Sequence, residues 1–139
     1  MRKFYIPRLV YNAQNNMIHL YDDDYREHMA ILVVSQNDCA KSAVRTLAQV
    51  IALKLMSLSL QANRLLAEAN MCNDGGDRLC YEPLKNTVPT LFYEEKSQKF
   101  VISWSLLQRA ICISDGTEAV LCWLELALAA VDSSAEQSN

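Results

Sequence analysis

The chain has 139 residues, 51% of them hydrophobic and 21% charged, with a formal net charge of −3 and five cysteines. Three glycines and three prolines exclude a low-complexity or collagen-like chain, and high apolar content with small net charge excludes a disordered one. A pI near 5.3 is not the footprint of a protein built to coat nucleic acid or an anionic membrane. A chain of this length reads as one domain able to bury roughly 68% of its unfolded surface.

Residues 3–11 are rich in β-branched and aromatic types and read as a strand. Pro7 lacks a ladder donor, which predicts a sheet edge for that strand. Residues 12–16 supply turn chemistry, and residues 17–21 return as the second arm of a hairpin. Asp22-Asp23-Asp24 offers N-cap candidates for a short turn through Met29, and residues 30–34 form an apolar run of buried-strand type. The N-terminal third thus predicts a three-stranded sheet.

Asp38 can cap a helix from about Cys39 to about Cys72, stopped by Asn73-Asp74-Gly75-Gly76. Val44, Leu47, Ile51, Leu55, Leu58, Ala62, Leu65 and Ala69 recur three and four residues apart, a continuous helical seam. Val50, Leu53, Met56 and Leu60 add apolar groups off that seam. A helix of ~34 residues is ~50 Å long, more than a small domain readily covers. Either it breaks near Ser57 and Ser59, or its surplus is buried by another subunit.

Residues 78–90 read as irregular, punctuated by Pro83 and Pro89, and a second hairpin spans residues 90–105. Residues 106–114 read as a short helix. Thr117, with Glu118 in the first turn, opens a final helix through about Val131. The expected fold is α+β: a three-stranded N-terminal sheet and a second hairpin packed on a long central helix and a C-terminal helix. The domain covers residues 1–131, and residues 132–139 form a flexible polar tail.

Compartment follows from the N-terminus, the longest apolar stretch and the cysteines. Pro7 and Arg8 interrupt the apolar start too early for a signal peptide, and the most apolar stretch, residues 47–60, is shorter than the ~20 residues of a bilayer span. The cysteines, at 39, 72, 80, 112 and 122, are odd in number and form no Cys-x-x-Cys pair. Reduced thiols in a cytoplasmic protein are the expectation.

No catalytic constellation is legible. Cys39 with His28 is the one sequence-near nucleophile and base, without any surrounding signature. The triple aspartate and Asn73–Asp77 lack the spacing of a calcium loop, so neither a metal nor a cofactor is expected. Glu125 stands alone in an apolar helix, as its solvent-facing residue, as the partner of a base or as the mark of a groove. Residues 39–72 sum to +3 and residues 73–139 to −5, so the net value hides a polarity.

These features predict a non-catalytic protein-binding module, acting on a macromolecular partner as an inhibitor, an immunity-type neutraliser or a chaperone-like adaptor. Tyr and Arg are favoured interface residues. One contact face is therefore expected at Tyr5, Arg8, Tyr11 and Tyr21, and another at Glu94, Glu95 and Trp104. The surplus apolar helix surface predicts a homodimer. The alternative is a small-ligand or nucleotide binder with weak enzymatic activity, in which Arg45, Arg64 or Arg109 meets an anionic group. Basic and aromatic residues interleave at the N-terminus, but the aspartates that follow would repel a phosphate backbone, so nucleic acid is not an expected partner.

Overall fold

The computed structural model describes residues 3–24, 26–32, 42–72, 78–80, 89–104 and 107–137, with the backbone alone described at 3, 29–32, 72, 78–80, 104, 107–109 and 131–137. In chain order the elements are β1 (Lys3–Tyr5), β2 (Arg8–Asn12), β3 (Met17–Tyr21), β4 (Glu27–Leu32) and α1 (Ser42–Cys72). There follow β5 (Arg78–Cys80), β6 (Thr90–Glu94), β7 (Lys99–Trp104), β8 (Leu107–Ile113) and α2 (Gly116–Gln137). Six strands form one antiparallel sheet in the order β4-β3-β2-β6-β7-β8, and β1 pairs with β5 in a separate parallel pair. With its two helices this is an α+β fold.

Two of the sheet's hairpins, β2–β3 and β6–β7, turn through four residues each, 13–16 and 95–98. In the first, the side chains of Asn12 and Asn15 accept the backbone N–H groups of Gln14 and Met17 at 2.9 and 3.2 Å. In the second, the Gln98 N–H donates to the Glu95 carbonyl at 3.2 Å. Each loop ends on a residue with φ of 56°, Asn16 and Gln98. Asparagine visits this left-handed region readily, whereas a longer side chain pays about 1 kcal/mol there. Gln98→Gly is therefore expected to raise the melting temperature by a few degrees. An unchanged or lowered midpoint in a thermal scan would count against the strain.

The sheet presents alternate residues to its two faces. On one face the cross-strand pairs Leu9–Leu20, Tyr11–Ile18 and Leu91–Ile102 are buried. That face carries both helices: Ile51, Ala52 and Leu55 of α1 and Ala119, Trp123 and Ala127 of α2 belong to the same core. The buried side of α1 includes Ile51, Leu55, Leu58 and Ala62 of the expected seam. By length and composition α1 could also cross a membrane, a test the core helix of a soluble protein passes equally.

The structure differs from the sequence expectations at several places, each with a local reason. Pro7 falls between β1 and β2, so its missing donor is needed by no ladder, and β2 is a central strand between β3 and β6 rather than an edge. Among the described residues the β3–β4 connection makes no helical turn, because β4 already begins at Glu27. Of the two alternatives for α1, the break near Ser57 and Ser59 is absent. The Ser59 hydroxyl donates to the Leu55 carbonyl at 3.0 Å, which satisfies a buried polar group without interrupting the helix. Residues 78–80, expected to be irregular, form β5 against β1.

Residues 107–113, expected to be helical, form edge strand β8, where β-branched Ile111 and Ile113 pair opposite Ile102 and Phe100. The cap of α2 is Asp115 rather than Thr117: its Oδ1 accepts the Glu118 N–H at 3.1 Å and its carbonyl accepts that of Ala119 at 2.9 Å. The helix also passes Val131 and continues to Gln137, since residues 132–137 contain no breaker and include good helix formers. Asp38, Cys39, the Asn73–Asp77 stretch and Pro83 lie outside the described residues.

Candidate functional site

The triple aspartate is a structural loop lock. Asp22 is buried, and its Oδ1 accepts backbone N–H groups from Asp24 at 2.9 Å and Arg26 at 2.8 Å. Its Oδ2 contacts His28 Nε2 at 2.8 Å. This is the chemistry of a helix cap, carried out on a strand-to-strand loop. Burial alone would raise the Asp22 pKa, but the two backbone donors and His28 outweigh it, and the net direction is down. A depressed folded pKa means stability that is present above the ordinary aspartate range and lost as pH falls through the folded value. Asp22→Ala is expected to cost about 1–3 kcal/mol at pH 7. Urea unfolding at pH 7 and at pH 3 should show the gap to the parent shrinking in acid; a gap independent of pH would refute the assignment.

The four N-terminal residues expected to form one contact face do not share a surface. Arg8 is 0% exposed and Tyr11 is buried in the helix-facing core, with its hydroxyl donating to Asn16 Oδ1. Tyr5 and Tyr21 are half-buried. The pleat is the reason: Tyr11 lies on the face of β2 that the helices cover, whereas Arg8, three residues earlier, lies on the opposite face and donates from its guanidinium to the Ile6 carbonyl at 3.3 Å. Glu94 and Glu95 are exposed as expected, while the side chains of Trp104 and Arg109 lie outside the described residues. Arg64 is exposed, and Arg45 is paired with Glu118 across the N-termini of the two helices. Arg45 and Arg64 stand 19 residues apart along α1 and do not share one anion site.

Chemistry of a catalytic kind is not assembled among the described residues. No group of three His, Cys, Asp or Glu side chains there could hold a metal ion. His28 is committed to Asp22, and His19 contacts Glu27 across the β3–β4 hairpin while stacking on Tyr21. Cys112 and Cys122 are free thiols. Burial, with the Glu125 carboxylate nearby, pushes the Cys122 thiol up, which keeps it protonated at neutral pH and a poor nucleophile.

Two surface features remain. The first is the outward side of α1, where Leu47, Val50 and Leu53 are 36, 50 and 56% exposed. Val50 and Leu53 are off-seam residues, so the signal for this face lay in the apolar groups the seam did not use. The second is a half-open slot of about 410 Å³ between the β1–β2 link, α1 and the β6–β7 hairpin. Ile6, Phe92 and Tyr93 form its apolar surface and Asn63, Glu94, Glu95 and Lys96 its rim. The Asn63 amide donates to Glu95 Oε2 at 2.8 Å and thereby ties α1 to the hairpin tip. Asn63, Ile6 and Tyr93 carry no sequence signal of a site, because residues this far apart meet only through the fold. Comparison with known protein families, with curated proteins and with solved structures finds no match for this chain.

Proposed function

We propose that this chain is a non-catalytic protein-binding module, acting on a macromolecular partner as an inhibitor, neutraliser or chaperone-like adaptor. The observation that carries the reading is the exposed apolar stripe Leu47, Val50 and Leu53, in the first half of a helix whose opposite side is core. Exposed contiguous apolar surface of this kind marks interaction sites in soluble domains. The acidic C-terminal half favours a protein over a nucleic acid as partner, since phosphates would be repelled. A cytoplasmic setting agrees with the free thiols.

A second copy of the chain is the simplest cover for the α1 stripe, because one stripe can lie against another across a two-fold axis. Light scattering is expected to give the mass of a dimer, and Leu53→Glu is expected to give a monomer of unchanged circular dichroism. A parent protein that is monomeric at 100 µM would remove the homodimer and leave the stripe to a different partner. For that partner, capture from the native cell at a defined stoichiometry supports the module reading, and absence of any stoichiometric partner argues against it.

The alternative reading, a small-ligand binder, is supported by the slot beside Tyr93. Its rim carries two carboxylates and one lysine, which disfavours a nucleotide and suits a neutral or cationic ligand. Thermal-shift screening separates the readings, since a ligand that binds only the folded state raises its melting temperature.

A further inference from the structure

Among the described residues, the register of β2 against β6 leaves part of a central strand open. The two strands pair only at Arg8–Phe92 and Leu9–Leu91. Continuation of the ladder would bring Pro7 and Ile6 alongside Tyr93 and Glu94, but proline has no N–H to donate. Instead the chain turns away: β1 runs toward the β3–β4 loop, where the Tyr5 N–H donates to the Asp23 carbonyl at 2.8 Å. Among the described residues, Tyr93 and Glu94 are therefore paired on one side only, to Phe100 and Lys99 of β7. The slot lies at this parting of the strands, with Ile6 on one wall and Tyr93 and Glu94 on the other.

We propose that the slot accepts a short extended peptide segment, of alternating apolar and basic residues, as an added strand on the open side of β6. This deepens the protein-binding reading and rests on it for biological meaning. An unpaired strand edge supplies main-chain recognition, and pockets for alternate side chains supply specificity. The alternation follows from the pleat. A residue opposite Tyr93 lies on the helix side, against the Tyr93 ring and Ile6, and should be apolar. Its neighbour opposite Glu94 lies on the other face beside a carboxylate and should be basic. Glu95, held by Asn63, adds a second negative charge at the same end, and Lys96 leaves the rim net negative. Three added residues span about 10 Å, which sets the segment length.

The test uses the full chain and fluorescein-labelled hexapeptides followed by fluorescence anisotropy. A peptide of alternating leucine and lysine is expected to bind at least tenfold more tightly than its leucine–glutamate counterpart. Replacing a central lysine by proline should weaken binding at least tenfold, because an added strand needs that N–H. Glu94→Lys should reverse the order of the two charged peptides. Glu94→Gln, which places no like charge opposite Lys99, should weaken the lysine peptide several-fold with circular dichroism unchanged. Failure of the lysine peptide to bind, equal binding of the proline peptide, or indifference to both Glu94 substitutions would overturn the proposal. If a native partner is captured equally by the parent and by Glu94→Gln, the module reading stands and this slot is not its site. If the lysine peptide binds as described and no native partner is captured, the slot stands and the module reading falls.

Discussion

Placing a methyl group on Gly116 is expected to lower the melting temperature by about 4–12 °C, and Gly116→Val by more. A Cβ built there would sit 2.7 Å from the Ala52 Cβ and 3.0 Å from the Phe100 ring. Gly116 opens α2, and the close approach is where that helix meets α1 and β7 together. The Ala52 Cβ is attached directly to the α1 backbone and cannot rotate aside, so a helix must move. Overpacking of this kind costs about 1–3 kcal/mol, roughly 4 °C per kcal/mol for a chain of this size. The backbone of Gly116 is not in the left-handed region, so the requirement is room rather than conformation. A double-mutant cycle isolates the cause. Ala52→Gly alone should cost about 1 kcal/mol as a helix-interior glycine, yet it should reduce the damage done by Gly116→Ala. Strict additivity of the two changes would show that the helix contact is not the reason.

Trp123→Ala is expected to destabilise the fold by about 3–5 kcal/mol, the range for emptying a large buried aromatic site. Trp123 is fully buried in the shared core, and its indole N–H donates to the Pro89 carbonyl at 2.7 Å. It thus joins α2 to the residue that leads into β6. Trp123→Phe separates the two contributions. Phenylalanine keeps most of the apolar volume but leaves the Pro89 carbonyl without its indole donor, a loss of about 1–3 kcal/mol. Chemical denaturation of both variants should therefore rank them parent, Phe, Ala. Equal stability of the Phe variant and the parent would mean that the indole bond contributes nothing net.

Both predictions concern contacts across long sequence distances, and neither was legible in the chain. Gly116 beside Asp115 reads as ordinary turn punctuation, and nothing local says that Ala52 lies against it. Trp123 in an apolar helix reads as core, but its partner Pro89 reads only as a breaker. The α1 stripe stands between these cases: Val50 and Leu53 were visibly surplus to the helical seam, and the structure leaves them outside. Leu47, which belongs to the seam by spacing, is also partly exposed, because α1 contacts the sheet and α2 over a narrower arc than its periodicity implies.

Errors in the sequence reading follow one pattern. In the sequence Pro7 reads as the mark of an edge strand, and the aspartates as a helix start. The local chemistry was right in each case, since a proline does interrupt a ladder and an aspartate does accept backbone donors. What differed was the setting: the proline sits in a gap between strands, and Asp22 performs its capping on a loop. The four residues expected at one contact face are likewise set by the fold, which buries Arg8 and Tyr11 and leaves Tyr5 and Tyr21 half-buried. Tyr11 looks like a surface residue only until the two helices close over its face of the sheet.

The sequence by itself determined the elements whose information is local: the long central helix, the hairpins at 3–21 and 90–105 and the α+β class. Helical period, strand alternation and turn residues act over fewer than ten residues, so each is written in a short stretch of chain. The tertiary structure alone decided which strand is central, where the slot opens and which apolar residues remain outside. Those outcomes depend on the pairing of β2 with β6 and on the close contact of α2 with α1. Such long-range contacts are selected by the packing of the whole core, which no short stretch of sequence encodes.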